Sequence, residues 1–260
     1  MATRYDQQFY EGQGDSSQNS ARVVLPFVLE MTKAKSLVDL GCGVGGWLAV
    51  AKEVGAVEVV GVDGDYVDRD WLKIAPDEFQ ARDLAQRVRL DRTFDLAMSL
   101  EVAEHLPPDR AASFVADLCA LAPIVLFGGA QPHQGGNNHI NEQYLDYWVE
   151  KFAAEGYELI DCIRPRFWEY DISYHYAQNS AVFARSGYLP DEPRGPRMPL
   201  RSVHPVLVEC VLAPPPSLRP WVQAAKRVTT SFPTALRTTY RYHGDELPGV
   251  TRLRRLVSKS

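Results

Sequence analysis

Two groups of residues have the types and spacing that chemistry needs. The first sets acids around glycines: Asp39, then Gly41, Cys42, Gly43, Gly45 and Gly46, then Asp63, Gly64 and Asp65, then Asp83 and Leu84. A strand that enters a glycine turn places backbone beside whatever lies over the strand end. An acid at the tip of the next strand offers two acceptor oxygens, which match the diol of a ribose. A nucleoside-containing cofactor is the expected ligand. The second group is Glu101-x-x-Glu104-His105, whose carboxylates lie about one helical turn apart and can converge. Downstream runs a loop from Gly128 to Gln143 with four glycines, three asparagines, His133 and His139. Such a loop is costly in chain entropy, so its retention points to function. An imidazole titrates near neutrality and serves as a general base. Two carboxylates and an imidazole with open positions also suit Mg²⁺ or a similar ion.

Gly41, Gly43 and Gly46 spell the dinucleotide pattern G-x-G-x-x-G, with Asp63 at the expected distance. Asp39 argues against it, because a carboxylate two residues before the first glycine would repel a pyrophosphate. It suits a ligand with a positive amine and no phosphate, and S-adenosylmethionine is such a ligand. Through Asp39, Gly41, Gly43 and Gly45, read as D-x-G-x-G-x-G, the sequence resembles the class I S-adenosylmethionine-dependent methyltransferases. The resemblance covers about residues 10–185. It implies an α/β, Rossmann-like seven-stranded mixed sheet, mostly parallel, with an antiparallel strand pair at the C-terminal end and helices on both faces. It also implies roles. Gly41, Cys42 and Gly43 offer backbone to the methionyl end, with Asp39 at the ammonium. Asp63 takes the ribose, Gly64 and Asp65 pass the adenine, Asp83 and the Leu84 N–H face its amine, and Ser99 and Leu100 end a strand beside the sulfonium. Trp47 is either a lid or helix packing. Ser20-Ala21-Arg22 either reaches the cofactor carboxylate or holds a helix N-cap.

The E-x-x-E-H run resembles two branches of that family, the ubiquinone-type phenol O-methyltransferases and the small-RNA 3′-terminal 2′-O-methyltransferases. In both it can hold a divalent cation, which implies Glu101, Glu104, His105 and His139 as ligands; metal-free members carry the run too. The H-I-N-E-Q stretch resembles a bacterial branch found beside sugar and natural-product pathways. The expected reaction is methyl transfer to a hydroxyl of a small molecule. His139 or His105 is the base, and Glu104 orients or binds metal; His133 is the alternative imidazole. Asn141 belongs to the site or caps the next helix. An RNA 3′-end enzyme and a non-catalytic cofactor-binding subunit are the rival readings.

The elements that position these residues follow from periodicity. Helices are expected at 21–32, with Pro26 in the first turns, and at 47–54, 109–121 and 141–156. Strands are expected at 37–40, 57–62, within 77–83, at 93–100 and at 123–128. Two more, 157–163 and 173–185, are joined without room for a helix and so run antiparallel. Beyond residue 187 the composition shifts: eleven of 18 prolines lie past Leu189. The expected domains are therefore 1–187 and a Pro-rich, basic extension, 188–260, with one strand or helix at 206–212 and short basic helical pieces at 221–230 and 250–257. From 213 to 260 nine basic and two acidic residues give +7, which leaves −12 on the rest of a chain of net charge −5. An acidic body argues against a nucleic-acid-binding face. The extension is read as an appendage or homo-oligomer contact. Four scattered cysteines, no apolar run near the ~20 residues of a membrane span and no visible leader give a cytoplasmic expectation.

Overall fold

The computed structural model describes residues 7–189 and 198–212, with side chains at 16–189 and 198–211. Short apolar runs form seven strands. They are β1 (Ser36–Leu40), β2 (Glu58–Asp63), β3 (Phe79–Ala81), β4 (Leu96–Leu100), β5 (Ile124–Gly128), β6 (Tyr157–Ile160) and β7 (Ala181–Arg185). They make one sheet in the order β3-β2-β1-β4-β5-β7-β6. The first five pair in parallel, while β7 runs antiparallel to β5 and β6. Alternate residues point to opposite faces. Leu37, Met98, Leu126 and Val182 enter one apolar layer. Val38, Ala97, Val125 and Phe183 enter the other. Helices α1 (Gln7–Thr32) and α2 (Gly46–Glu53) cover the first face; α3 (Ala111–Leu121) and α4 (Leu145–Ala154) cover the second. The strand order reverses between β1 and β4, so a crevice opens beyond their carboxyl ends. The expected fold class is the one observed.

Four local expectations change. First, α1 begins at Gln7 rather than Ala21, so Pro26 lies deep inside it. Pro26 is on the exposed side, where water can serve the carbonyl that its missing N–H leaves free. Second, β4 starts at Leu96; just before it the Asp95 side chain accepts the N–H groups of Lys35 and Ser36 (2.9 Å each). Third, α4 begins at Leu145. Asn141 is buried, its side chain donating to the Ala103 carbonyl (3.4 Å) and accepting from Gln143 (3.1 Å), so it is not the helix cap.

The fourth change matters most for the cleft. Two short helices, α5 (Arg164–Phe167) and α6 (Tyr174–Asn179), stand between β6 and β7, where a continuous strand over 173–185 is expected. Ile172, Tyr174 and Tyr176 alternate like a strand. Yet Ala177, Gln178 and Asn179 are buried in succession, and Tyr176 packs on Trp47 with ring centroids 4.9 Å apart. Tertiary contact overrides the period-two pattern there. The β6–β7 pairing stays antiparallel.

Helix α7 (Pro205–Leu212) falls where a strand or helix is expected. The stretch before it is held by Arg164, which is fully buried, pairs with Asp161 (2.5 Å) and donates to the Pro199 carbonyl (3.1 Å). The expected helices at 221–230 and 250–257 and the basic tail lie outside the described residues. No helix of the described residues is long and apolar enough to cross a membrane.

Candidate active site

The glycine turn after β1 is shaped by backbone geometry. Gly41, Gly43 and Gly45 have φ of +93°, +54° and +82°, a region costly for residues with a Cβ. At Gly41 a Cβ would also lie 2.3 Å from a Val102 methyl. Four of the turn's N–H groups are already used: Gly41 and Cys42 donate to the Val62 carbonyl (2.8 and 3.3 Å), Gly43 to Asp63 Oδ2 (2.7 Å) and Gly45 to the Cys42 carbonyl (2.9 Å). A turn with these four donors spent is a poor phosphate cradle.

Asp63, at the tip of β2, is buried. Its second oxygen accepts the Gly64 N–H (2.6 Å) and the Tyr66 hydroxyl (2.5 Å). Asp39 is also buried, and no basic side chain among the described residues pairs with it. Burial, with the Asp63 charge adding to it, pushes its carboxyl up to about 8. Such a group is relieved by a cation. Burial and the same two acids push the Cys42 thiol up, so it is an inert filler against Gly61.

These residues line a cleft of about 970 Å³. Gly64, Asp65, Asp83, Leu84 and Leu100 line it as well, with Trp47 and Tyr176. Asp83 stands two residues past β3, exposed and accepting the Ala85 N–H (2.9 Å). Trp47 donates to Ser17 (3.0 Å), which also bonds the Tyr176 hydroxyl (2.9 Å), so its indole is fixed packing at the cleft wall. Three expected positions do not reach the cleft. Gly45 packs on Ile74. Ser99 is fully buried and donates to the Leu40 carbonyl (2.8 Å). Ser20 is buried against Ser16 and the Ser173 N–H, while Arg22 pairs with Glu53.

The same cleft holds Glu104, His105 and His139, whose ligand-type atoms lie within 4.8 Å of one another. The turn Ala103–His105 presents the first two, and the Glu104 carbonyl accepts the N–H groups of Ile140 and Asn141 (2.9 and 3.0 Å), which brings in His139. The two imidazoles meet edge to face at 4.8 Å. Glu104 is buried, and among the described residues neither carboxylate oxygen has a hydrogen-bond partner. Burial, then the neighbouring Glu101, holds its carboxyl well above the usual range. Burial and His139 push His105 down. His133 is exposed and does not line the cleft.

Glu101 lines the cleft but does not join the cluster. Its backbone is left-handed (φ +57°), a strained conformation. Its carboxylate is held by Asn179 (2.7 Å) and Gln134 (2.6 Å). The expected four-ligand set is therefore not assembled. The remaining set, one carboxylate and two imidazoles, is poor for Mg²⁺, which takes oxygens. His175, unnoticed in the sequence, also lines the cleft; it bonds Ser173 (2.8 Å), and burial pushes it down. Its signal was hidden in the stretch that alternates like a strand.

No curated protein matches this chain. Among solved structures, it is similar to the sugar N-methyltransferase KedS8 from Streptoalloteichus (18% identity, TM-score 0.55), covering 71% of this chain and 94% of that one. It is similar to an O-methyltransferase family protein from Burkholderia thailandensis (12%, TM-score 0.52), covering 70% of this chain but only 60% of that one, and to the amino pentose methyltransferase CalS10 from Micromonospora echinaspora (16%, TM-score 0.50; 68% and 94%). At such identities these likenesses speak to the fold. A family model described as a methyltransferase domain matches residues 16–163, more than half of the chain and the whole span from the start of the cleft wall to β6. With its sheet order, its glycine turn and its two buried acids, the chain belongs to the class I S-adenosylmethionine-dependent methyltransferases.

Proposed function

We propose that this protein moves a methyl group from S-adenosylmethionine to a hydroxyl oxygen of a small-molecule acceptor, a sugar or natural-product intermediate. One observation carries the reading: a single cleft joins Asp39 and Asp63 to Glu104, His105 and His139. In this reading Asp39 meets the ammonium, Asp63 the ribose, and Asp83 with Leu84 the adenine. The cofactor, when bound, supplies an electrophilic methyl on a sulfonium and leaves as a neutral thioether. The chain must align the acceptor oxygen with that methyl and take its proton. As the new O–C bond forms and the S–C bond breaks, the hydroxyl proton passes to an imidazole nitrogen. His139 is the first choice, with its Nδ1 on Glu142 (3.0 Å) and the ring at the cleft. His105 is the second. Glu104, its carboxyl raised by burial, orients the acceptor as a hydrogen-bond donor.

Among the described lining residues six acids face two bases, Lys73 and Arg82. That balance supports an acceptor without phosphates and disfavours an RNA end. It also supports a second reading, an amine acceptor, which acidic walls attract and a neutral imidazole can deprotonate. The likeness to a sugar N-methyltransferase fits that alternative. The deciding experiment incubates the protein with methyl-labelled S-adenosylmethionine and panels of hydroxyl and amino sugars, then fragments the labelled product by mass spectrometry. Label on oxygen supports the first reading, and label on nitrogen the second. No label in any small molecule, with label in RNA, would overturn both.

A further inference from the structure

We propose that Glu142 is a positioning residue that fixes the tautomer and orientation of His139, so that the ring presents a bare Nε2 lone pair to the cleft. The proposal rests on the reading that His139 faces the acceptor.

The argument is geometric. The loop between β5 and α4 has few apolar contacts of its own, and His133, Gly135, Gly136 and Asn138 all take positive φ. Such a backbone does not order itself; something must tie it. Glu142 ties it with both oxygens. Oε2 accepts the His133 N–H (2.9 Å), and Oε1 accepts the Gly135 N–H (2.7 Å) and lies 3.0 Å from His139 Nδ1. A carboxylate can only accept, so Nδ1 carries the proton and Nε2 is left bare. An isolated neutral imidazole has no such constraint, so the loop chooses the tautomer. Gly136 then closes over the ring: a Cβ there would fall 2.2 Å from Nε2. Any side chain at 136 would have to push the ring or the loop aside. The same carboxylate that folds the loop thus sets the one lone pair the cleft can use, and a base oriented by a third group is the arrangement nucleophile activation uses repeatedly.

The test uses the full chain and needs no acceptor for its first arm. Long-range ¹⁵N–¹H spectra at about pH 8, where imidazoles are neutral, report ring tautomers, and His139→Gln identifies the resonance that belongs to His139. The wild-type ring should show Nδ1–H. Glu142→Gln, whose amide oxygen still accepts, should keep it. Glu142→Ala should lose it, and amide exchange at His133 and Gly135 should accelerate. An Nε2–H ring in the wild type, or an unchanged ring in Glu142→Ala, overturns the proposal; the wild-type spectrum decides alone should the alanine variant fail to fold. The second arm uses the acceptor found by methyl labelling. Glu142→Ala should lower kcat about ten- to a hundredfold with KM little changed, as expected for a mis-set base, and Glu142→Gln should restore most of it. Full activity of His139→Gln, beside a wild-type ring that shows Nδ1–H, would sink the functional reading of His139 while leaving the Glu142–His139 pair standing.

Discussion

At the scale of single residues, Asp39 carries the sharpest physical statement. Its ordinary value is 3.8, and burial with the Asp63 charge raises it to about 8 in the folded chain. A raised folded-state value means that the native protein holds a proton the unfolded chain has lost. Stability therefore falls as pH climbs from about 4 to about 8, by on the order of 2–4 kcal/mol at pH 7. Asp39→Asn keeps the size and drops the charge. It should melt at a higher temperature than the wild type at pH 7–8, with the gap closing toward pH 4. Binding a cation beside Asp39 requires the ionised acid, so wild-type affinity for S-adenosylmethionine should rise with pH and level off above about 8. The asparagine variant should bind weakly at every pH. Thermal melts and calorimetry across that range check both; a neutral-pH melting temperature no higher than that of the wild type would refute the linkage.

At the scale of elements, the Asp83–Leu84 wall of the cleft depends on α3. Asp117 on that helix is buried and pairs with Arg110, accepts from Arg87 (2.6 Å) and takes the Val88 N–H (2.9 Å). Arg110 in turn donates to the carbonyls of Leu84 (3.1 Å) and Gln86 (2.8 Å). The segment just after Asp83 is thus tied to a helix by charged hydrogen bonds rather than by the short β3. Removing one partner of a buried pair leaves an uncompensated charge, worth about 3–5 kcal/mol. Asp117→Ala should lose that much in urea unfolding and should weaken cofactor binding by loosening Leu84. A loss below about 1 kcal/mol would mean that solvent reaches Arg110 more easily than its burial implies.

At the scale of the whole molecule, the sheet's order reversal gathers the buried acids of β1 and β2 and the imidazoles beyond β4 and β5 into one crevice. With Glu101 held by two amides, Mg²⁺ has too few oxygens there. Turnover should survive EDTA followed by gel filtration, and added Mg²⁺ should change nothing, as read from labelled product. Activity lost on chelation and restored by Mg²⁺ would refute this; restoration by a nitrogen-preferring ion alone would assign the cluster to that ion instead.

Local chemistry was legible in the chain itself. Left-handed glycines, a carboxylate before them and acids at strand ends are fixed by sterics and spacing, so Asp39, Asp63, Asp83 and the glycine turn could be named at once, and the apolar runs gave five parallel strands and an antiparallel ending. Long-range packing decided the rest. That Ser99 turns into the sheet, that residues 174–179 coil to bring His175 and Tyr176 to the cleft, that Glu101 is taken by Asn179 and Gln134, and that Glu142 folds the loop over His139 all depend on partners from 3 to 78 residues away. Periodicity sees only neighbours along the chain; hydrogen-bond partners for a buried carboxylate are settled only when the strands have met.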